Sequence, residues 1–88
     1  MGLINSMNKL FKITFRSKNF FNGYKFRKIY IERETKSEVK KDFEKWFKLE
    51  SKSCGNDSLI DYKIDFDFYA SMDANIRKEI KHLIKKPF

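Results

Sequence analysis

From Leu59 to Tyr69 the chain alternates strictly. Ile60, Tyr62, Ile64, Phe66 and Phe68 are separated by Asp61, Lys63, Asp65, Asp67 and Tyr69. Successive side chains of a strand point to opposite faces, so this stretch predicts a strand with one apolar and one charged face. Leu10–Arg16 has the same pattern, with Phe11, Ile13 and Phe15 set against Lys12, Thr14 and Arg16. Asn22-Gly23 comes next, a pair that accepts the positive φ of a tight hairpin turn. In the second strand, Tyr24–Arg33, Tyr24 and Phe26 share one parity and Ile29 and Ile31 the other. An extra residue near Arg27-Lys28 would bring all four to one face, which predicts a β-bulge there. Without a bulge, Tyr24 and Phe26 belong to the outer face or the loop.

The period then changes. Thr35 and Glu38 form a T-x-x-E capping box, and Val39, Phe43, Trp46 and Phe47 make one helical stripe running to about Lys52. Glu44 precedes Lys48 by four residues, a weakly favourable pair. Gly55 is a natural stop within the loop KSCGNDS. Beyond the Leu59–Tyr69 strand, Ser71 or Asp73 caps a second helix with the stripe Met72, Ile76, Ile80, Leu83 and Ile84, and Pro87 bars further helix.

The order ββαβα predicts an α+β fold: one small domain over residues 9–88 behind a flexible segment, 1–8. Its sheet has three strands in the order 2-1-3, with both helices packed on one face. The β-α-β crossover should be right-handed and leave strands two and three parallel. Strand three, antiparallel to strand one, sets Lys12 and Arg16 opposite Asp61, Asp65 and Asp67 on the outer surface. Phe11, Ile13, Phe15, Ile29, Ile31, Ile60, Ile64 and Phe66 form the expected inner face. Open edges would allow a homodimer through edge-to-edge pairing.

Eighty-eight residues make one domain at most. Apolar residues at 41% and aromatics at 17% supply a real core, so disorder is excluded despite 36% charge. No apolar run reaches the length of a membrane span. The opening MGLINS fits an N-myristoylation pattern on Gly2 with Ser6, set against a plain flexible terminus or a leader before a second start at Met7. Asn5 and Asn8 interrupt it too early for a secretory signal. Cys54 is the only cysteine, which excludes an internal disulfide and a cysteine zinc site and suits a reducing, cytoplasmic setting.

The net charge of +8 raises the case for an anionic partner, RNA or DNA above all, and also serves solubility. Sixteen of the 20 basic residues are Lys, and the four Arg are Arg16, Arg27, Arg33 and Arg77. Lys acts as a point charge where Arg forks onto bases, so the balance favours electrostatic attraction over sequence reading. In RSKNFFNGYKFRK, the cations Arg16, Lys18, Lys25, Arg27 and Lys28 surround Phe20, Phe21, Tyr24 and Phe26. Single-strand binders combine these two ingredients, cations for phosphates and rings for bases. Folding Phe20 and Phe21 back as core is the competing use of the same rings. A second basic surface would arise on the helices, from Lys41, Lys45 and Lys48 with Lys78, Lys81 and Lys85, if they pack side by side.

Catalytic chemistry finds little. Asp65 and Asp67 could hold Mg²⁺ but lack acidic companions, and charge pairing across the outer face is the plainer use. His82 has only Glu79 to orient it and sits among lysines. Cys54 has no partner in a nucleophile motif. No cofactor is called for. The sequence therefore predicts a small non-catalytic protein that binds nucleic acid or a nucleoprotein complex. The alternative is a protein-binding inhibitor of the kind phages and plasmids encode against a host enzyme or immune complex, anti-defence or antitoxin-like.

Overall fold

The structure, a computed structural model, describes residues 9–21, 23–53 and 56–85. The N-terminal pattern on Gly2 and Ser6, Asn22, Cys54, Gly55, Lys86 and Pro87 lie outside the described residues. The elements are β1 (Lys9–Asn19), β2 (Gly23–Arg33), α1 (Lys36–Ser53), β3 (Ser58–Phe66), α2 (Phe68–Met72), α3 (Ala74–Glu79), a 3₁₀ turn over Lys81–Leu83, and β4 (Ile84–Lys85). This is an α+β domain. The sheet order is β3-β1-β2-β4, so β1 lies between β2 and β3 and is antiparallel to both. A fourth strand adds to the expected three, with β4 running parallel to β2 through Tyr30↔Ile84 and Ile31↔Lys85.

Contrary to expectation, β2 has no bulge. It pairs with β1 residue for residue from Lys9↔Arg33 to Asn19↔Gly23. Ile29 and Ile31 therefore face inward, and Tyr24 and Phe26 face outward. The change of parity is absorbed by Arg27, which takes the inner-face position between them. Its guanidinium lies 5.5 Å from the Phe15 ring centroid and 5.6 Å from that of Trp46, with Glu50 at 3.6 Å. An arginine stem covering aromatic rings fills a slot that would otherwise need an apolar residue. Gly23 has φ +72°, a backbone that residues with a Cβ rarely adopt, so the hairpin requires glycine there.

The register shift lies instead between β1 and β3, where Arg16 faces Asp61 but Ser17 faces Leu59. Ile60 is the extra residue. It is exposed rather than on the inner face, and Phe66, at the end of the strand, is also exposed. Tyr62 and Ile64 keep their inward places.

α1 begins as its capping box predicts. The Thr35 N–H donates to Glu38 Oε1 at 3.2 Å, and the Glu38 N–H donates to Thr35 Oγ1 at 3.3 Å. Val39, Phe43, Trp46 and Phe47 are buried against Phe11, Ile13, Phe15, Ile29, Ile31 and Ile64. Phe15 forms the centre, edge-on to Phe43, Trp46 and Phe47 at 5.1, 5.9 and 6.0 Å.

The expected second helix starts at its Asp73 cap but stops at Glu79, Phe68 and Tyr69 leave the expected strand to begin the short helix α2, Met72 is exposed, and the C-terminal segment does not share the inner face. Asp67 caps α2 by accepting from the Ala70 N–H, and Asp73 caps α3 by accepting from the Asn75 and Ile76 N–H groups. Two caps six residues apart keep α2 and α3 separate, because Asp73 is held extended at φ −103°, ψ 114°. Ile76, Ile80, Leu83 and Ile84 pack on Leu10, Tyr30 and Ala70, a second cluster on the opposite side of the sheet. Leu10 and Tyr30 are apolar residues at outer-face parity, and burying them draws the C-terminal segment there.

Candidate nucleic-acid interface

The molecule measures 49 × 23 × 19 Å. Eleven-residue strands span about 36 Å, whereas an 18-residue helix covers only about 27 Å. The β1–β2 hairpin thus outruns α1 on the inner face, and on the outer face the described C-terminal segment packs around Leu10 and Tyr30, so the distal end of the hairpin carries exposed rings. Phe20 is 92% exposed, Phe21 85%, Tyr24 72% and Phe26 73%. Phe20 and Phe21 stand edge to face at 5.1 Å. Tyr24 pairs with Lys18, and Phe26 with Arg16, on the outer face of the sheet. The Lys18 ammonium sits 5.7 Å from the Tyr24 ring centroid. Phe26 lines a shallow groove of about 250 Å³ with Thr14, Arg16, Asp61 and Lys63.

The tip is tied down. Asn19 Nδ2 donates to Asp57 Oδ1 at 2.6 Å, and the Asn19 Oδ1 accepts from the Phe21 N–H at 2.8 Å. Asn19 and Asp57 are both buried, so the loop entering β3 holds the backbone beneath the two phenylalanines. Asn19→Ala is expected to cost about 1–3 kcal/mol in urea unfolding, since it leaves a buried carboxylate without this donor. A loss under a few tenths would mean that the tie carries no weight.

Of the other expected site residues, Lys25 and Lys28 are exposed on this hairpin, on the inner and outer sides respectively. Arg27 is engaged with Phe15, Trp46 and Glu50 and is not part of the outer surface. Arg16 is held by Asp61, with Nε donating to Oδ1 at 2.9 Å and Nη2 to Oδ2. These hydrogen bonds lower the Asp61 carboxyl below the ordinary carboxylate range and raise the Arg16 guanidinium. Charge pairing is thus the use made of Asp61. Lys12 faces Asp65 across the strands, while Asp67 has left the sheet, capping α2 and accepting from the Tyr30 hydroxyl at 3.3 Å. The three aspartates do not converge. Among the described residues no group of three or more His, Cys, Asp or Glu is placed to hold a metal ion. His82 is exposed in the 3₁₀ turn.

The side-by-side cationic helix surface does not form. Lys41, Lys45 and Lys48 line α1 on one side of the sheet, whereas Lys78 on α3, Lys81 in the 3₁₀ turn and Lys85 in β4 belong to the segment packed on the other. Arg77 is spent on Glu32 at 2.8 Å.

No protein-family model, curated protein or solved structure matches this chain.

Phe26, grouped by sequence with Phe20, Phe21 and Tyr24, takes the outer-face place that its parity gives it when β2 has no bulge. Asn19 and Asp57 carry no local signal, because their pairing joins residues 38 apart. On the α1 side, the Tyr62 hydroxyl donates to Glu44 Oε2 at 2.8 Å. Burial, and then Glu44, push the Tyr62 phenol from 10.0 up to about 12. The fold favours the neutral phenol, so this contribution is complete below pH 10.0 and is lost as pH rises through about 12. Thermal melts across that window should fall less steeply for Tyr62→Phe than for the parent. Equal slopes would overturn the assignment.

Proposed function

We propose that the protein is a small, non-catalytic binder of single-stranded RNA or DNA, free or within a nucleoprotein complex, and that it acts through the distal end of the hairpin. One observation carries this reading: Phe20, Phe21, Tyr24 and Phe26 are all exposed on a single strand pair interleaved with Lys18, Lys25 and Lys28. Rings on a preorganised sheet stack on unpaired bases, and the lysines track phosphates without reading sequence. A duplex keeps its bases stacked inside and offers these rings nothing. A cytoplasmic location belongs to the same reading, and no described helix is long and apolar enough to cross a membrane.

The test is a fluorescence-anisotropy titration with labelled single-stranded RNA, single-stranded DNA and duplex at several salt concentrations. Single strands should bind more tightly than duplex. About three phosphate contacts should give a slope of log K against log salt near −2. Equal affinity for duplex, or binding that vanishes on every ligand near physiological salt, would reduce the +8 charge to a solubility device.

A second reading is favoured by the Asn19–Asp57 tie, which presents Phe20 and Phe21 as fixed anchors of the kind that dominate protein interfaces. It makes the chain a phage- or plasmid-type inhibitor of a host enzyme or immune complex. Binding through such anchors should change little with salt.

A further inference from the structure

The two edges of the sheet differ. β4 covers the basal end of β2, whereas no described strand pairs with the outer edge of β3. A free edge presents alternate backbone N–H and C=O groups to any extended chain that reaches it. α1 lies over β3 and leaves two open grooves between them. One, of about 470 Å³, has Lys41, Lys45 and Lys48 around Phe47 and Leu59. The other, of about 420 Å³, has Lys36 and Lys40 around Tyr62 and Ile64. All five lysines are exposed, and none forms an ion pair with a described residue. Of the two acids that line the grooves, Glu44 already accepts from the Tyr62 hydroxyl and Asp65 lies 4.0 Å from the Lys63 ammonium.

We propose that this edge takes an extended acidic segment of a partner protein as an additional strand beside β3. Backbone bonds to the stretch Asp61–Phe66, beyond the bulge at Ile60, would supply affinity. Every second side chain of the added strand would point into the grooves, apolar parts against Leu59 and Ile64 and carboxylates against the lysine rim. Charge decides the occupant. A second copy paired edge to edge would set two lysine rims against each other, and the bulge and the charges of Asp61, Lys63 and Asp65 guard a strand against such self-pairing. Within the two grooves nucleic acid would find the charge but no exposed ring, because Phe47 is buried and Tyr62 is half-buried with its hydroxyl engaged, and the exposed Phe66 at the end of β3 lines neither groove. The surface is separate from the hairpin rings and stands whether or not those bind nucleic acid.

The probe is a fluorescent peptide of about eight residues alternating Glu and Val, an ordinary strand length. It is compared with a Lys–Val counterpart and with the same Glu–Val sequence N-methylated at alternate residues. The Glu–Val peptide should bind saturably, and the Lys–Val peptide should not. The methylated peptide should bind at least about tenfold more weakly, because its backbone cannot complete the ladder. The double variant Lys41→Glu/Lys45→Glu should weaken binding by a similar factor with its melting temperature retained. Amide exchange at Asp61–Phe66 should slow in the complex. Equal binding of the methylated peptide, or no binding, overturns the proposal. Displacement of the peptide by a single-stranded oligonucleotide would make the lysine rim a nucleic-acid surface instead. A concentration-dependent dimer that excludes the peptide would make a second copy the occupant.

Discussion

Phe15→Ala is expected to lower the unfolding free energy by at least about 3 kcal/mol at 25 °C. Phe15 is 1% exposed and touches three rings on α1 edge-on, with the Arg27 guanidinium against its face. Truncating a buried phenylalanine costs about 3–5 kcal/mol, and each well-placed aromatic pair adds about 0.5–1.5 kcal/mol beyond area burial. A chain of 88 residues has a total stability of roughly 4–13 kcal/mol, so one substitution removes a large share of it. Trp46, the single tryptophan, lies in this cluster and reports the transition by fluorescence during urea unfolding. Phe15→Leu, which keeps most of the volume, should lose less than half as much. A change below about 1 kcal/mol for the alanine variant would show that the cluster relaxes around the gap.

The second large effect is on binding and leaves the fold alone. Tyr24→Ala/Phe26→Ala should abolish most single-strand affinity while shifting stability by no more than about 1 kcal/mol, since both rings stand in solvent. Stacking contributes about 1–3 kcal/mol per base, so removing two platforms should weaken binding by roughly 30-fold or more. Phe20→Ala/Phe21→Ala should act in the same direction. Lys18→Ala should instead lower affinity modestly and flatten the salt dependence by about one phosphate's worth. If both ring variants bind labelled single strands as the parent does, the hairpin is not the nucleic-acid surface.

β1, α1 and most of β3 were legible because their apolar periods are unambiguous, as was the place of β1 between β2 and β3, whereas β4 is too short to show a period. Arg27 was misread because a parity argument assumes that an inner face is apolar throughout. A guanidinium flanked by Phe15 and Trp46 satisfies the same position by other means. In the C-terminal segment the Asp73 cap was legible, but the length of the helix was not: Ile76, Ile80, Leu83 and Ile84 do pack together, yet the helix stops at Glu79, and Leu83 and Ile84 reach the cluster from a 3₁₀ turn and β4. Nor could the stripe say which side of the sheet it would cover; Leu10 and Tyr30 settle that from far away in the chain. At the candidate site, the mixture of rings and cations was legible but its exposure was not. For Tyr24 and Phe26, exposure depends on how far the C-terminal segment reaches along the outer face, and it packs around Leu10 and Tyr30, at the other end of the hairpin, a placement that no local pattern announces.

The central position of β1 also orders events during synthesis. It leaves the ribosome before the other described elements, and residues 9–33 can close as a local hairpin within microseconds. That hairpin then displays Phe11, Ile13, Phe15, Ile29 and Ile31 on one side and Leu10 and Tyr30 on the other, until the later helices and β3 arrive. The nascent chain therefore passes through an interval in which both faces of its earliest structure are sticky, and aggregation competes most strongly there. Translation speed through residues 34–66 sets how long that interval lasts.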